Sequence, residues 1–206
     1  VLQLMVKGGD VQWAGGATRV AKSIGVTGRS DVKAIVDAAN AQTAVLRNQV
    51  IGTQQFDITR APTRLFESAM GNMVADAMRE KYPGVDAALT NSGGLRADLN
   101  CSPPSAGEQA CEATWGEMFS VLPFGNRTVI ETLTGEQLRL AYYNGFQPAC
   151  NPNFAGGTGR FPQVSGMRVT YTCDAALLPV VTGMWRTPAG MGGPETPIAP
   201  TDTIRI

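Results

Sequence analysis

Positions Val32, Ile35, Val36, Ala39, Thr43 and Leu46 fall at helical spacing behind Ser30, which predicts a capped helix from Ser30 to near Asn48. Val50-Ile51-Gly52 then starts an extended segment. A second amphipathic run, Glu67 to Met78, sets Met70, Met73, Val74 and Ala77 on one face, and its methionines read as adaptable core filler. Asp86-Ala87-Ala88-Leu89-Thr90 is short and apolar enough for a buried strand. Thr114-Trp115-Gly116-Glu117 and Thr134-Gly135-Glu136-Gln137 are capping boxes, opening helices through Val121 and Tyr143. Between them Pro123-Phe124-Gly125-Asn126 is a turn and Thr128 to Leu133 a strand. Asn151 to Gly159 is a polar, glycine-rich loop, Met167 to Cys173 alternates like a strand, and Thr203 to Ile206 begins another. Short strands interleaved with short helices predict an α/β or α+β layered fold. There is no internal repeat.

The first thirty residues carry Gly8-Gly9, Gly15-Gly16, Gly25 and Gly28 and read as the end of something upstream or a linker. The predicted organisation is thus a lead-in over 1–30, a connector helix over 31–52 and a compact body over 53–206. A helix in that place suits an interdomain connector or an ordinary packing helix.

Composition narrows the function. At 206 residues the chain can bury a real core, and 43% hydrophobic with 17% charged residues is ordinary for a globular protein. The 17 basic and 17 acidic side chains cancel, which argues against a nucleic-acid polymer or an anionic membrane as partner. No apolar run reaches transmembrane length, and no signal peptide is visible. The 24 glycines and 13 prolines indicate many loops. Histidine is absent altogether, which excludes His-based triads, His general bases and imidazole-built zinc centres.

Cys101, Cys111, Cys150 and Cys173 form no CxxC pair, so zinc ribbons and thioredoxin-like motifs are excluded. Three pairings are open, or four reduced thiols. The local pairing, Cys101–Cys111 with Cys150–Cys173, is the most natural, because each bridge would close a Pro- or Gly-rich loop. Disulfides imply a periplasmic, cell-surface or extracellular protein.

Candidate chemistry gathers around Asn91-Ser92-Gly93-Gly94-Leu95-Arg96. A strand ending in a side-chain-poor turn lets the backbone approach a ligand closely, and Arg96 supplies a planar fork of donors suited to phosphate. The alternative is a plain turn with Arg96 solvated or paired to Asp98. Arg60 and Arg64 precede the second helix and either join Arg96 on an anion or remain surface residues. Phe124 either plugs the core or offers its face to a flat base. No acid/base dyad is evident among Asp76, Asp86 and Glu117. Gly93-Gly94 and Gly156-Gly157 lack the P-loop and dinucleotide spacings.

Six motifs in order resemble the C-terminal domain of the 5'-nucleotidase family, whose members include ecto-5'-nucleotidase and bacterial UDP-sugar hydrolases. They are Arg60-x-x-x-Arg64, Glu67-Ser-x-Met-Gly71-Asn72-x-x-Ala-Asp76-Ala, Asn91-Ser-Gly-Gly-Leu-Arg96, Leu122-Pro-Phe124-Gly-Asn126, Leu133-Thr-Gly135-x-x-Leu138 and Phe161-Pro-Gln-Val-Ser-Gly166. The resemblance covers residues 31–206 and implies a mixed sheet flanked by short helices that binds the nucleoside part of a substrate. It implies that Arg60, Arg64 and Arg96 hold phosphate or ribose oxygens with Asn91 and Gly93 beside them. By the same resemblance Phe124 stacks on the base, Asn126 bonds the ribose and Gly166 lies near the base.

The family's divalent metal pair belongs to a separate N-terminal calcineurin-like metallophosphatase domain, whose histidine ligands this chain lacks. The resemblance therefore implies no catalytic residue, metal ligand or cofactor here, and an N-terminal catalytic domain as partner. It also places a second base-clamping aromatic in a loop beyond Ile206. The function implied is substrate recognition within a secreted enzyme that hydrolyses nucleotide phosphate esters. The alternatives are a non-catalytic binding or scaffold domain, or part of a 2',3'-cyclic phosphodiesterase or sulfur-oxidation relative.

Overall fold

The structure is a computed structural model that describes residues 2–16, 25–60, 64–102, 108–154, 157–190 and 192–206. By its contacts the chain divides into two units, Val1–Ala44 and Val45–Ile206. In the first, β1 (Leu2–Lys7) and β2 (Asp10–Gly16) form an antiparallel hairpin. Gly8 and Gly9 both have positive φ (64° and 89°), as a tight two-residue hairpin turn requires. The glycine-rich lead-in, expected as the end of something upstream or a linker, contains a hairpin. The division between the units falls within α1 (Ser30–Arg47), whose bounds match the helical spacing. Lys33 pairs with Asp37 one turn on, and α1 buries none of its residues.

In the second unit β3 (Val50–Thr53) pairs with β5 (Glu112–Thr114), and β4 (Ala88–Asn91) with β7 (Pro162–Ser165). The pair β6 (Thr132–Thr134) and β11 (Thr203–Arg205) makes a third ladder. A meander of β8 (Met167–Cys173), β9 (Pro179–Arg186) and β10 (Thr196–Pro197) makes a fourth sheet, with β9 central. Every described ladder is antiparallel, so helices and strands combine in the layered α+β manner expected.

Side chains of a strand alternate faces, and β7 uses both. Gln163 and Ser165 face α2 (Ala69–Lys81): Gln163 meets Gly71, and the Ser165 hydroxyl donates to Asp76. Pro162 lies on the other side, against Gly145 of α4 (Gly135–Cys150). One core follows α4, with Leu138, Tyr142 and Phe146 packed on Phe161, Met167 and Ile204. A second joins Met70 and Val74 of α2 to Leu95, Leu99 and Val121, the last residue of α3 (Trp115–Val121). Both predicted capping boxes are formed, at Thr114/Glu117 and Thr134/Gln137.

Several predicted boundaries move, the strand expected over Asp86 to Thr90 running from Ala88 to Asn91. The second helix starts two residues later than expected, because the Ser68 hydroxyl accepts from the Gly71 N–H and caps it. α4 runs past Tyr143 to Cys150, since Tyr142 and Phe146 continue the apolar stripe of Leu138 into the core. The strand expected over Thr128 to Leu133 shrinks to Thr132–Thr134, with Val129 71% exposed. The disulfides are Cys101–Cys111 and Cys150–Cys173, the local pairing; the second ties the end of α4 to the end of β8.

Candidate functional site

The end of β4 organises the site. After Asn91 the chain makes a single 3-10 turn, Ser92–Gly94, and two other segments lock onto it. The carbonyl of Gly159 accepts from the Gly93 N–H (2.9 Å) and from Nδ2 of Asn91 (2.9 Å). The Ser92 N–H donates to Phe161 O (2.9 Å), and the Ser92 hydroxyl donates to Arg64 O (3.1 Å). Gly157 in turn packs on the stem of Arg64. A Cβ on Gly93 would stand 3.0 Å from the Cα and carbonyl oxygen of Gly159. Gly93 was expected to give backbone access to a ligand. Its backbone packs closely on a second glycine loop, and the Asn91 amide bonds within the same junction.

Arg96 leaves this turn anchored at both ends. Its N–H donates to Val121 O (2.9 Å), its Nη1 reaches Gly93 O (3.3 Å), and its guanidinium lies 5.6 Å from the centre of the Phe124 ring. That separation is within cation–π range. Phe124 is 58% exposed, so the core-plug alternative is excluded and the ring keeps an open face. Asn91, Gly94, Phe124 and Asn126 line one open groove of about 560 Å³. The alternative in which Arg96 pairs with Asp98 is also excluded. Asp98 accepts from Nε (3.0 Å) and the backbone N–H (2.7 Å) of Arg60. Desolvation of Asp98 raises its pKa. The two hydrogen bonds and the charge of Arg60 outweigh that and hold the carboxyl below its usual range.

Arg64, Asn91, Gly93, Arg96, Phe124 and Asn126 thus meet around one turn and groove, with Arg60 two residues along from Arg96 through its bond to Asp98. Gly166 is not brought to them. It follows β7 at Ser165, which pairs with Ala88 at the start of β4, while the groove lies at Asn91, the end of β4. Three residues of rise separate the two ends, about 10 Å. With φ +77° and a Cβ position blocked by Asp86 O, Gly166 serves a close backbone approach there.

Two contributors escape the motif reading. Gly159 (φ +77°) stood in a loop weighed only against phosphate motifs, yet it is the partner of Gly93. Gln163, 1% exposed, accepts from the Ser68 N–H (3.0 Å) and donates to Phe66 O (2.9 Å), fixing the chain that leads from Arg64 into α2. A glutamine inside the motif Phe161-Pro-Gln-Val-Ser-Gly166 was the available signal. Among the described residues no group of three His, Cys, Asp or Glu could hold a metal ion. The arrangement sets an exposed ring, a guanidinium and two amides beside one open groove.

The family described as "5'-nucleotidase, C-terminal domain" matches residues 40–203. The chain belongs to this family. As a 5'-nucleotidase C-terminal domain it is 33% identical over 134 residues to the trifunctional nucleotide phosphoesterase YfkN of Bacillus subtilis, covering 63% of this chain and 8% of that protein. It is 30% identical over 158 residues to a cell wall protein of Listeria monocytogenes, covering 71% of this chain and 19% of that protein. Among solved structures, the 5'-nucleotidase precursor from Thermus thermophilus superposes with a TM-score of 0.67 at 27% identity, over 99% of this chain and 38% of that one. The domain therefore spans well under half the length of these relatives. A sulfate thiohydrolase, SoxB, shares the fold at 15% identity and a TM-score of 0.63.

Proposed function

We propose that this chain is the substrate-recognition part of a secreted 5'-nucleotidase-type phosphoesterase and grips the nucleoside end of a nucleotide. The observation that carries the reading is the exposed Phe124 ring beneath the Arg96 guanidinium, at a groove lined by Asn91 and Asn126. A purine or pyrimidine stacks on the face of Phe124 that Arg96 leaves open, a contact worth about 1–3 kcal/mol per base. The Asn126 amide bonds the ribose hydroxyls. Arg96 and Arg64 meet ribose or phosphate oxygens, and Arg60 adds charge from its place on Asp98. Gly93 and Asn91 act one step back, since their contacts with Gly159 hold the arginines' turn in place.

Catalysis belongs to the partner that this reading requires, an N-terminal metallophosphatase domain holding a divalent metal pair. The residues present here do not fit that pair: there is no histidine, and among the described residues no group of three His, Cys, Asp or Glu is placed to hold a metal ion. What this chain contributes is binding and orientation of the nucleotide. The hairpin-bearing lead-in and α1 serve as the linker and connector between the two. Two disulfides, and a relative named as a cell wall protein, support a periplasmic, cell-surface or extracellular location.

Because a sulfate thiohydrolase shares this fold, the fold alone does not choose the substrate, and the test is made on the ring and the arginine. In the protein that carries this chain, Phe124→Ala and Arg96→Ala are expected to raise the KM for AMP about tenfold or more and to weaken binding of adenosine in calorimetry. Unchanged KM in both variants refutes the reading in favour of a scaffold domain.

A further inference from the structure

The walls of the Phe124 groove are chemically unlike. α2 and β4 contribute the apolar Val74, Met78 and Leu89, and the segment from Leu122 through Phe124 to Val129 contributes the ring and most of the polar groups. Gly125 (φ +62°) turns that segment just after the ring, and a Cβ there would meet nothing within 4 Å, so the groove is open at this point. None of the described residues that line it is acidic. The groove therefore offers hydrogen-bond donors and no carboxylate to receive one.

One of those donors is uncommitted. Arg127 lines the groove next to Asn126, is exposed, and forms no ion pair or side-chain hydrogen bond among the described residues. By contrast Arg60 is held by Asp98, and Arg96 by Gly93 O and the Phe124 ring. An arginine fork matches two neighbouring acceptors on the edge of a base. A 6-oxopurine presents such a pair, N7 and O6. Adenine sets an N6 amino donor beside N7, and that donor opposes an arginine N–H. An exocyclic amino group calls for a carboxylate, and the described lining holds none.

We infer that Arg127 reads the base and that the groove prefers keto bases, 6-oxopurines above all. The inference rests on the nucleotide-binding reading of the groove and narrows its substrate class. With the ring on Phe124 and the ribose at Asn126, Arg127 is the next side chain along the wall, and its fork donates to O6 and N7. Uracil offers one acceptor there, O4, and takes a single bond. Adenine keeps only N7, and cytosine, with an amino group in place of O4, takes no bond.

The test uses two matched pairs of nucleosides, inosine with adenosine and uridine with cytidine, on the protein that carries this chain. Each pair exchanges a keto for an amino group, and without phosphate the general attraction of a cation for an anion drops out. In calorimetry inosine should bind about tenfold tighter than adenosine, near the low end for a paired base-edge contact because the groove is open to water. Uridine should bind about threefold tighter than cytidine, as one hydrogen bond allows. Arg127→Ala should bring both ratios close to one. Arg127→Lys keeps the charge and loses the fork, so the purine ratio should fall to that of the pyrimidines. Arg127→Ala should melt within about 2 °C of the parent, since the side chain it removes is exposed and unpaired. If the variants fail to fold, the inosine to adenosine ratio on the unaltered protein decides the matter. Equal binding of inosine and adenosine, or a ratio that survives Arg127→Ala, overturns this inference alone and leaves the Phe124 reading standing. No binding of any of the four nucleosides overturns both.

Discussion

Gly93 and Gly94 look interchangeable in the sequence, and the structure separates them by what lies across from each. A methyl group on Gly93 would stand 3.0 Å from two backbone atoms of Gly159 and 3.1 Å from Nδ2 of Asn91. Backbone has no rotamer to escape into, so the two loops must part. Parting them strains or breaks the bonds from Gly93 N–H and Asn91 Nδ2 to Gly159 O, each worth about 1 kcal/mol net. With the overlap itself, Gly93→Ala should lose about 2–3 kcal/mol relative to a glycine-to-alanine change in open surroundings. Gly94→Ala is that control, because its nearest neighbour, Oδ1 of Asn91, is 3.6 Å away. Neither residue has positive φ, so both variants share the same modest gain from a stiffer unfolded chain. The two should therefore differ by about 4–12 °C in melting temperature for a domain of this size. Thermal and guanidinium unfolding followed by circular dichroism, with disulfides intact, measure the difference. Equal melting temperatures would refute the loop junction, and with it the claim that Gly93 acts through Gly159. A nucleotide-binding loss in Gly93→Ala without loss of stability would return Gly93 to direct ligand contact.

Other outcomes follow from the same contacts. Gly71→Ala drives its Cβ into the side chain of Gln163, which is held by Ser68 and Phe66 and is 1% exposed; a loss of about 3 kcal/mol or more is expected in denaturant unfolding. Asp98 has a folded pKa below its unfolded one, so the Arg60 pair stabilises fully above the ordinary carboxylate range and is lost as pH falls through the depressed value. The stability gap between the parent and Asp98→Asn should thus close on acidification. At neutral pH it should be about 1 kcal/mol, since both side chains are about one-third exposed. Phe124→Ala should leave the melting temperature within about 2 °C of the parent, because the ring is 58% exposed, while weakening adenosine binding in calorimetry.

Much of the scaffold was legible because its causes are local. A capping box is decided by four consecutive residues, and Thr114/Glu117 and Thr134/Gln137 formed as read. The alternation of Met167 to Cys173 needed only a period of two, and α1 only a period near four. Short loops between cysteines made the local disulfide pairing the natural one. β7 and β9 were missed because their sequences carry glutamine, glycine or proline where a simple strand pattern expects apolar alternation. Gln163 is acceptable in β7 only because Ser68 and Phe66 satisfy it from across the fold.

The residues of this chain by themselves singled out the positions where chemistry was expected: three arginines, one ring in a turn, an amide on either side, and no histidine. They could not determine which way each group would face. Whether Phe124 lay inward or outward, whether Asp98 took Arg60 or Arg96, and what filled the space beside Gly93 depended on segments dozens of residues away. Facing and pairing are settled by competition for buried volume and for hydrogen bonds, and those competitors meet only when the chain is folded.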